Sequence, residues 1–212
     1  MQEIGPVTLD GEWVRLAPLE RGHGAALATI AADKEVWRYL PASLATPADL
    51  DAWLGKALDN AAAGMELPFV TIEKATGALV GATRLMDIKR QHRTVEIGNT
   101  WLGRAWWRST INSEAKYLLL RHIFDTLGYQ RACFKTDLLN ERSQRAIERL
   151  GSVREGVLRK HMIVQDGRAR DTVYYSIVDD EWPAVRARME MRLYGAAGGA
   201  HDRGDQDGAH GE

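Results

Sequence analysis

The chain has 212 residues, of which 45% are hydrophobic and 27% charged, and its formal net charge is −1. This length suits one well-buried domain, and the balance is that of a soluble globular protein rather than a disordered or fibrous one. The single cysteine, Cys133, excludes an internal disulfide and is expected to be a buried, inert thiol. No apolar run is long enough to span a membrane and no basic-then-apolar leader opens the chain, so we expect a cytoplasmic protein without a membrane partner.

Charge is unevenly distributed along the chain. Residues 84–170 contain 18 Arg and Lys against nine Asp and Glu. This excess favours an anionic partner, although an ion-paired, solvated surface accounts for it equally well. Because no recognisable nucleic-acid-binding motif accompanies the basic residues, a nucleic-acid partner is not expected.

The first part of the chain predicts a hairpin and two helices. Residues 7–19 alternate in polarity around the turn Leu9-Asp10-Gly11-Glu12, which indicates a short hairpin or a bent strand. A first helix is predicted over residues 22–32. Thr46-Pro47-Ala48-Asp49 is typical of a helix start, with a capping Thr, Pro in the first turn and an acid near the positive end, and this helix runs to about Ala63.

The rest of the chain predicts strands and helices in alternation. Three strands are predicted first, at residues 67–73, 79–86 and 94–102, the first two joined by a hairpin turn at residues 75–77. The remaining predicted elements are a helix at 112–127, a strand at 131–136, a helix at 141–150, strands at 155–164 and 169–177, and a helix at 181–193.

This order of elements indicates a single mixed α/β (α+β) domain with a mostly antiparallel, seven-stranded sheet flanked by helices. The predicted domain covers residues 7–193. From Tyr194 to Glu212 the composition shifts to Gly, Ala, Asp and His without an apolar period, which predicts a disordered C-terminal tail.

Three blocks of the sequence are similar to those of a known family: V-E-I-G from Val95, W-W-R-S-T-I-N-S-E-A-K from Trp106, and N-E-R-S-Q-R-A-I-E-R-L-G from Asn140. With the order of elements, they resemble the GCN5-related N-acetyltransferases (GNAT), and more narrowly the RimJ/RimL-type branch, whose named members acetylate N-terminal amines of ribosomal proteins. The segment D-G-R-A-R-D-T-V-Y-Y-S-I is similar to the same branch. The resemblance covers residues 7–183 and implies a sheet splayed at its centre, with acetyl-CoA inserted between two parallel strands.

Acetyl transfer from a thioester to an amine requires a neutral amine, a polarised carbonyl and a protonated leaving thiolate. Glu96 is the candidate base, because it is a carboxylate in mid-strand between two apolar residues, where burial in a cleft raises a carboxyl pKa; a surface or structural carboxylate is the alternative. The resemblance implies that Ser143 protonates the CoA sulfur, with Tyr174 or Tyr175 as a second candidate acid. A helix cap is the alternative role for Ser143.

The resemblance implies that three segments hold acetyl-CoA: the strand around Gly98, the helix start after it, and Asn140. The family's loop, Q/R-x-x-G-x-G/A, has two glycines, but the aligned residues 105–110 contain neither, although glycine lets a phosphate approach the backbone closely. Backbone N–H groups and the charge of Arg108 remain, so we expect CoA binding to be retained. The expected cofactor-binding residues are Asn99, Thr100, Trp101, Leu102, Arg108, Ser109, Thr110, Ile111, Asn112, Ser113 and Asn140.

Aromatic residues are expected to border the acceptor cleft, because their rings stack on planar or cationic ligands. Most of the tryptophans should nevertheless be core residues. The six histidines show no metal-ligand spacing, so no metal is predicted. The expected substrate-binding residues are Trp37, Tyr39, Trp53, Trp106 and Tyr175.

The sequence therefore predicts an acetyl-CoA-dependent N-acetyltransferase, an acyltransferase that acts by direct attack in a ternary complex. Its acceptor is expected to be a small-molecule amine or a peptide N-terminus, and a homodimer is in keeping with the family. The two missing loop glycines motivate one alternative, a non-catalytic acyl-CoA-binding or sensing module.

Overall fold

A computed structural model describes residues 4–195 of the chain. The helices within these residues are α1 Gly24–Ala31, α2 Pro47–Ala62, α3 Thr110–Arg121, α4 Glu141–Glu148 and α5 Trp182–Tyr194. The strands are β1 Leu9–Asp10, β2 Val14–Pro18, β3 Leu67–Glu73, β4 Leu79–Lys89, β5 Thr94–Leu102, β6 Arg131–Asp137, β7 Val153–Ile163 and β8 Ala169–Val178. None of the helices in this part of the chain has the length and apolarity needed to cross a membrane.

The eight strands of the described residues form one open sheet in the order β1-β2-β3-β4-β5-β6-β8-β7. Neighbouring strands are antiparallel except β5 and β6, which are parallel. The predicted mixed α/β fold with a mostly antiparallel sheet is therefore confirmed. The sheet has eight strands rather than seven because Leu9–Asp10 pairs with β2 as a separate short strand.

Alternating side chains divide the core between the two faces of the sheet. One core packs the sheet against α3 and α5 and includes Leu118 and Phe134. The other core packs it against α1 and α2 and includes Leu27, Leu54 and Trp101. We call the second face, which also carries the side chain of Glu96, the acceptor face.

The last helix ends one residue later than the sequence predicts. Tyr194 belongs to α5, its ring stacks on Trp13 with centroids 5.6 Å apart, and its hydroxyl donates to Glu114 Oε1 at 2.9 Å. The rest of the predicted disordered tail, residues 196–212, lies outside the described residues.

The carboxylate of Glu114 joins three distant parts of the chain. It is fully buried and accepts the backbone N–H groups of residues 12–14 at 2.7–2.8 Å as well as the Tyr194 hydroxyl. A Cβ atom at Gly11 would lie 2.4 Å from its carboxyl carbon, so the β1–β2 turn requires glycine there. The hairpin, α3 and α5 are thus fixed to one another through a single side chain.

Lys116, two residues after Glu114 on α3, is also buried. Its Nζ lies 2.5 Å from Thr100 Oγ1 and 3.3 Å from Thr83 Oγ1, and within residues 4–195 it forms no ion pair. Burial lowers the pKa of Lys116 to about 7, because an apolar environment disfavours the charged ammonium.

Replacing Glu114 should destabilise the protein strongly. Glu114→Gln puts an NH₂ group where a carboxylate oxygen accepts N–H donors, so we expect the free energy of unfolding to fall by about 2–4 kcal/mol. Urea unfolding measures this. Glu141→Gln, on the exposed side of α4, is the control and should cost no more than about 1 kcal/mol. Equal losses in the two variants would contradict the role given to Glu114.

The burial of Lys116 should make stability depend on pH. Lysine in the unfolded chain titrates near pH 10.4, so between about pH 7 and pH 10 the unfolded state binds more protons than the folded state. The free energy of unfolding should therefore rise with pH in this range, by up to about 1.4 kcal/mol per pH unit.

Lys116→Met should remove that rise, as measured by denaturant unfolding from about pH 6.5 to about pH 9.5. Thr83 and Thr100 keep each other as hydrogen-bond partners at 2.7 Å, so the variant leaves no buried hydroxyl alone. Lys56→Met, at an exposed position of α2, should instead show the same pH dependence of the free energy of unfolding as the parent protein. A Lys116→Met variant with the parent's pH slope would show that the lysine stays protonated when folded.

Candidate active site

The parallel strands β5 and β6 separate soon after they meet. They are paired only over residues 94–96 of β5 and 131–133 of β6. Beyond this point β5 continues to Leu102 and β6 to Asp137 without a common ladder. Since β5 stays paired with β4 on its other side, residues 97–102 present a free backbone edge to the gap. The predicted splay at the centre of the sheet is present.

The free edge of β5 carries a bulge. Its pairing with β4 shifts between Ala82 and Arg84, and Asn99 adopts a left-handed backbone with φ of 49°. Gly98 precedes it, and a Cβ there would lie 2.7 Å from Met86 Sδ and 3.0 Å from Glu96 Oε1. The bulge therefore turns the strand at a position where only glycine fits beside Glu96.

The helix start after β5 leaves backbone N–H groups without partners in the helix. Ser109 caps α3, accepting the Ile111 N–H at 3.3 Å, while the N–H groups of Thr110 and Asn112 have no partner within the helix. Arg108 takes the position of the first missing glycine, and its φ of 63° lies in the left-handed region that glycine enters freely. Arg108 thus holds a backbone conformation that glycine adopts more readily than arginine.

The start of α4 lies beside the start of α3. Asn140 caps α4 by accepting the Ser143 N–H at 3.1 Å. The Arg142 guanidinium carbon lies 3.5 Å from the ring centroid of Trp107, which belongs to the segment entering α3. Partial burial lowers the pKa of Arg142, and the positive charge of Arg108 contributes to this. Two helix N-termini and two arginines therefore give this end of the gap a positive potential.

These residues fit coenzyme A. The molecule carries two amides between its thiol and its pyrophosphate, and the free edge of residues 97–102 offers backbone donors and acceptors to amides. The uncapped N–H groups of Thr110 and Asn112, with Arg108, match the pyrophosphate. The side chain of Trp101 is buried in the core and Thr100 Oγ1 contacts Lys116, so at these two positions the backbone is the part that faces the gap.

Glu96 lies on the acceptor face at the point where β5 and β6 part. It is 6% exposed, and Lys135 Nζ on β6 lies 2.6 Å from its Oε2. Burial opposes protonation of Lys135, but hydrogen bonding and charge from Glu96 outweigh it and raise the pKa of Lys135. Lys135 also lies 5.0 Å above the ring of Tyr174 on β8. A carboxylate with an ammonium counter-ion thus stands beside the gap.

Aromatic side chains build the wall between the acceptor face and α2. The rings of Trp37 and Trp53 lie 5.0 and 6.0 Å from that of Trp101. Trp37 and Trp101 are core residues, whereas Trp53 and Tyr39 are half-buried. Of the predicted acceptor-binding residues, Trp53 and Tyr39 are therefore the two with accessible rings in this region.

Two predicted acceptor-binding residues lie elsewhere. Tyr175 is completely buried on the opposite face of the sheet, where its hydroxyl donates to Glu148 at 2.9 Å, because neighbouring residues on a strand point in opposite directions. Tyr174 occupies the acceptor face in its place. The indole N–H of Trp106 donates to Glu73 Oε1 on β3, two strands away from the gap.

Sequence reasoning did not single out Lys135 or Arg170, which both lie on the acceptor face. Alternation along β6 would have placed Lys135 on the face of Glu96 only if the β5–β6 register had been known. Cys133, paired with Glu96 across the two strands, is half-buried, and burial raises the pKa of its thiol, as an inert cysteine requires.

The tip of the β7–β8 hairpin closes one side of the acceptor face. Gln165 Nε2 donates to the backbone carbonyl of Trp37 at 2.6 Å. Arg168 holds the buried carboxylate of Asp137 at the end of β6, with 2.5 Å between Nη2 and Oδ2. The Gln165 contact connects the second half of the sheet to the segment between α1 and α2, and the Arg168 contact ties the hairpin to β6.

Comparison with known proteins agrees with this geometry. A family model described as “Acetyltransferase (GNAT) domain” matches residues 14–153. The chain is 31% identical over 106 residues to a Bacillus subtilis (strain 168) protein named “Putative ribosomal N-acetyltransferase YdaF”, a match that covers 50% of this chain and 57% of that protein. The chain thus spans little more than half the length of this curated relative.

Solved structures match over nearly the whole chain. A GCN5-related N-acetyltransferase from Brucella melitensis is 34% identical, with a TM-score of 0.83 over 91% of this chain and 87% of that one. Mycobacterium smegmatis RimJ, solved in complex with CoA-disulfide, has the same fold, with a TM-score of 0.75 at 22% identity over 89% and 92% of the two chains. The resemblance seen in the sequence is confirmed and is consistent with the RimJ/RimL-type branch. The chain belongs to the acetyltransferase (GNAT) domain family.

Proposed function

We propose that this protein is a cytoplasmic N-acetyltransferase that moves an acetyl group from acetyl-CoA to a primary amine by direct attack, without a covalent enzyme intermediate. The observation that carries the proposal is the free edge of residues 97–102, which leads from two capped helix N-termini to the buried carboxylate of Glu96. Acetyl-CoA, when bound, supplies the activated acyl group as a thioester.

Glu96 accepts the proton of the acceptor's ammonium group. Amines are protonated near neutral pH and cannot attack a carbonyl in that form, so a carboxylate at the gap is needed. Lys135 gives this carboxylate a counter-ion while the amine is absent. Donors on the free edge of β5 polarise the carbonyl, since the bulge at Asn99 points its backbone away from the β4 ladder.

Ser143 protonates the leaving thiolate, and its hydroxyl regains a proton from the attacking nitrogen, which loses its second proton as the amide forms. The backbone N–H of Ser143 donates to Asn140 Oδ1 in the α4 cap. The Ser143 hydroxyl forms no hydrogen bond within residues 4–195 and is therefore available as a donor. The position in the first turn of α4 adds the positive end of the helix dipole, which stabilises a thiolate.

The acceptor we favour is the N-terminal amine of a peptide, with small aminoacyl compounds as the second class. The description of the relative YdaF as a ribosomal N-acetyltransferase supports a peptide. Half-buried Trp53 and Tyr39 offer aromatic faces on which the group next to the amine can stack. A homodimer remains a prediction from the family.

A non-catalytic acyl-CoA sensor is the second candidate function. The observation that favours it is the loop of residues 105–110, where neither family glycine is present and Arg108 holds a left-handed backbone. Tight binding of acetyl-CoA without release of thiol in the presence of any amine would support the sensor.

Acetyl-CoA should bind with one-to-one stoichiometry in a calorimetric titration of the purified protein. Asn140→Ala removes an amide beside the gap and the α4 cap, and should weaken binding by about tenfold, equivalent to about 1.4 kcal/mol. Gln91→Ala, at an exposed turn position, should bind like the parent. If acetyl-CoA does not bind even at millimolar concentration, the loop has lost the site and the proposal fails.

Glu96→Gln should lower kcat by about a hundredfold or more while leaving the affinity for acetyl-CoA unchanged, because it removes the base and keeps the shape. The measurement is the release of CoA thiol with a panel of amines and short peptides. Glu20→Gln, exposed and distant in sequence, is the control. Full activity of Glu96→Gln with an accepted amine would exclude Glu96 as the base.

A further inference from the structure

Arg170 on β8 is buried without a partner. It is 5% exposed, and no side-chain hydrogen bond or ion pair of its guanidinium is formed within residues 4–195. Its Nε is fully shielded and has no acceptor. A buried charged donor that stays unsatisfied is costly, so such groups are normally paired with an anion.

Arg170 lies on the acceptor face. Residues 170, 172 and 174 alternate onto the same side of β8, and Tyr174 of this set contacts Lys135. Burial and the charge of Arg168 lower the pKa of Arg170, whereas the charges of Asp137 and Glu96 act to raise it.

Each of these two carboxylates already forms an ion pair with another cation. Asp137 is held by Arg168 at 2.5 Å and accepts the Leu139 N–H at 2.9 Å, and Glu96 is held by Lys135 at 2.6 Å. Arg168 and Lys135 are therefore each paired with a carboxylate, whereas the guanidinium of Arg170 is paired with no anion within residues 4–195.

The missing anion matches one end of an acceptor molecule. A guanidinium binds a carboxylate with two parallel N–H donors, and the amine to be acetylated must reach Glu96 on the same face. Coenzyme A enters between β5 and β6, whereas Arg170 is on β8, beyond β6. A carboxylate bound at Arg170 would therefore come from the acceptor rather than from the acyl group of the donor.

We propose that Arg170 binds a carboxylate of the acceptor, so that the enzyme prefers amines that carry a carboxylate a short distance from the amino group. The proposal rests on the proposed acetyltransferase function. It gives the acceptor two charged ends, an ammonium directed to Glu96 and a carboxylate directed to Arg170. A free amino acid or a peptide with an acidic first residue has this form.

Three matched pairs of acceptors test the proposal, each differing only in carboxylate against amide: glycine and glycinamide, Asp-Ala-Ala-amide and Asn-Ala-Ala-amide, and Glu-Ala-Ala-amide and Gln-Ala-Ala-amide. For at least one pair, the parent protein should have a kcat/KM for the acid about tenfold or more above that for the amide. Arg170→Gln should reduce this ratio to about one while keeping the parent's affinity for acetyl-CoA. Arg159→Gln, exposed on β7, should keep the ratio.

Arg170→Lys keeps the positive charge but not the paired N–H donors of the guanidinium, and should retain an intermediate preference for the acid over the amide. It also decides the matter if Arg170→Gln does not fold. The proposal is overturned if the parent prefers no acid over its amide, or if Arg170→Gln or Arg170→Lys keeps the full preference. It is also overturned if Arg170→Gln loses the use of succinyl-CoA relative to acetyl-CoA with the acceptor preference intact, since the carboxylate would then belong to the donor.

Calorimetric titration of the same peptides into protein saturated with CoA provides a readout that needs no turnover. Tighter binding of an acid than of its amide, lost in Arg170→Gln, supports the proposal even if no acetyl transfer is seen. Absence of thiol release with every amine would contradict the proposed function alone, so the two failures are distinguishable.

Discussion

The early end of the pairing between β5 and β6 is the constraint on which the site depends. Parallel strands cannot be joined by a tight turn, so the chain must cross the sheet between them, and α3 makes that crossover. The crossover starts at the carboxyl end of β5, where the two strands have already parted. One topological requirement therefore produces the gap, the free strand edge and a helix N-terminus at the mouth of that gap.

Helix α3 carries two buried ionisable side chains, Glu114 and Lys116, that differ in how well their charged forms are stabilised. Glu114 is matched by four donors and holds the hairpin and the last helix in place. Lys116, two residues on, has only hydroxyl partners, and the apolar surroundings make its ammonium form unfavourable. Lys116 contacts Thr100 on β5, whereas Glu114 contacts the β1–β2 hairpin and α5.

Much of the fold follows from local signals in the sequence. The cap at Thr46, the turn at residues 75–77 and the period-2 strands depend on neighbours in the chain, and they predict the element order correctly. Side-chain direction was harder to predict, because it depends on strand register. Tyr174 and Tyr175 are adjacent, and only the pairing with β6 shows which of them faces Glu96.

Partners separated by long stretches of sequence could not be predicted. The contact of Lys135 with Glu96 and the solitary position of Arg170 require the β5–β6–β8 order, which no local pattern specifies. The left-handed backbone at Arg108 is another case. Arginine does not favour that conformation, so its presence follows from the geometry of the loop rather than from the residue itself.

The carboxylate of Glu114 also sets an order of events during synthesis. Residues 12–14 leave the ribosome well before α3 and can bind Glu114 as soon as that helix forms, but the Tyr194 hydroxyl becomes available only about 80 residues later. Until then Trp13 lacks its stacking partner and the carboxylate lacks one of its donors. The nascent domain therefore acquires its final stability only when nearly all of the described chain has been translated.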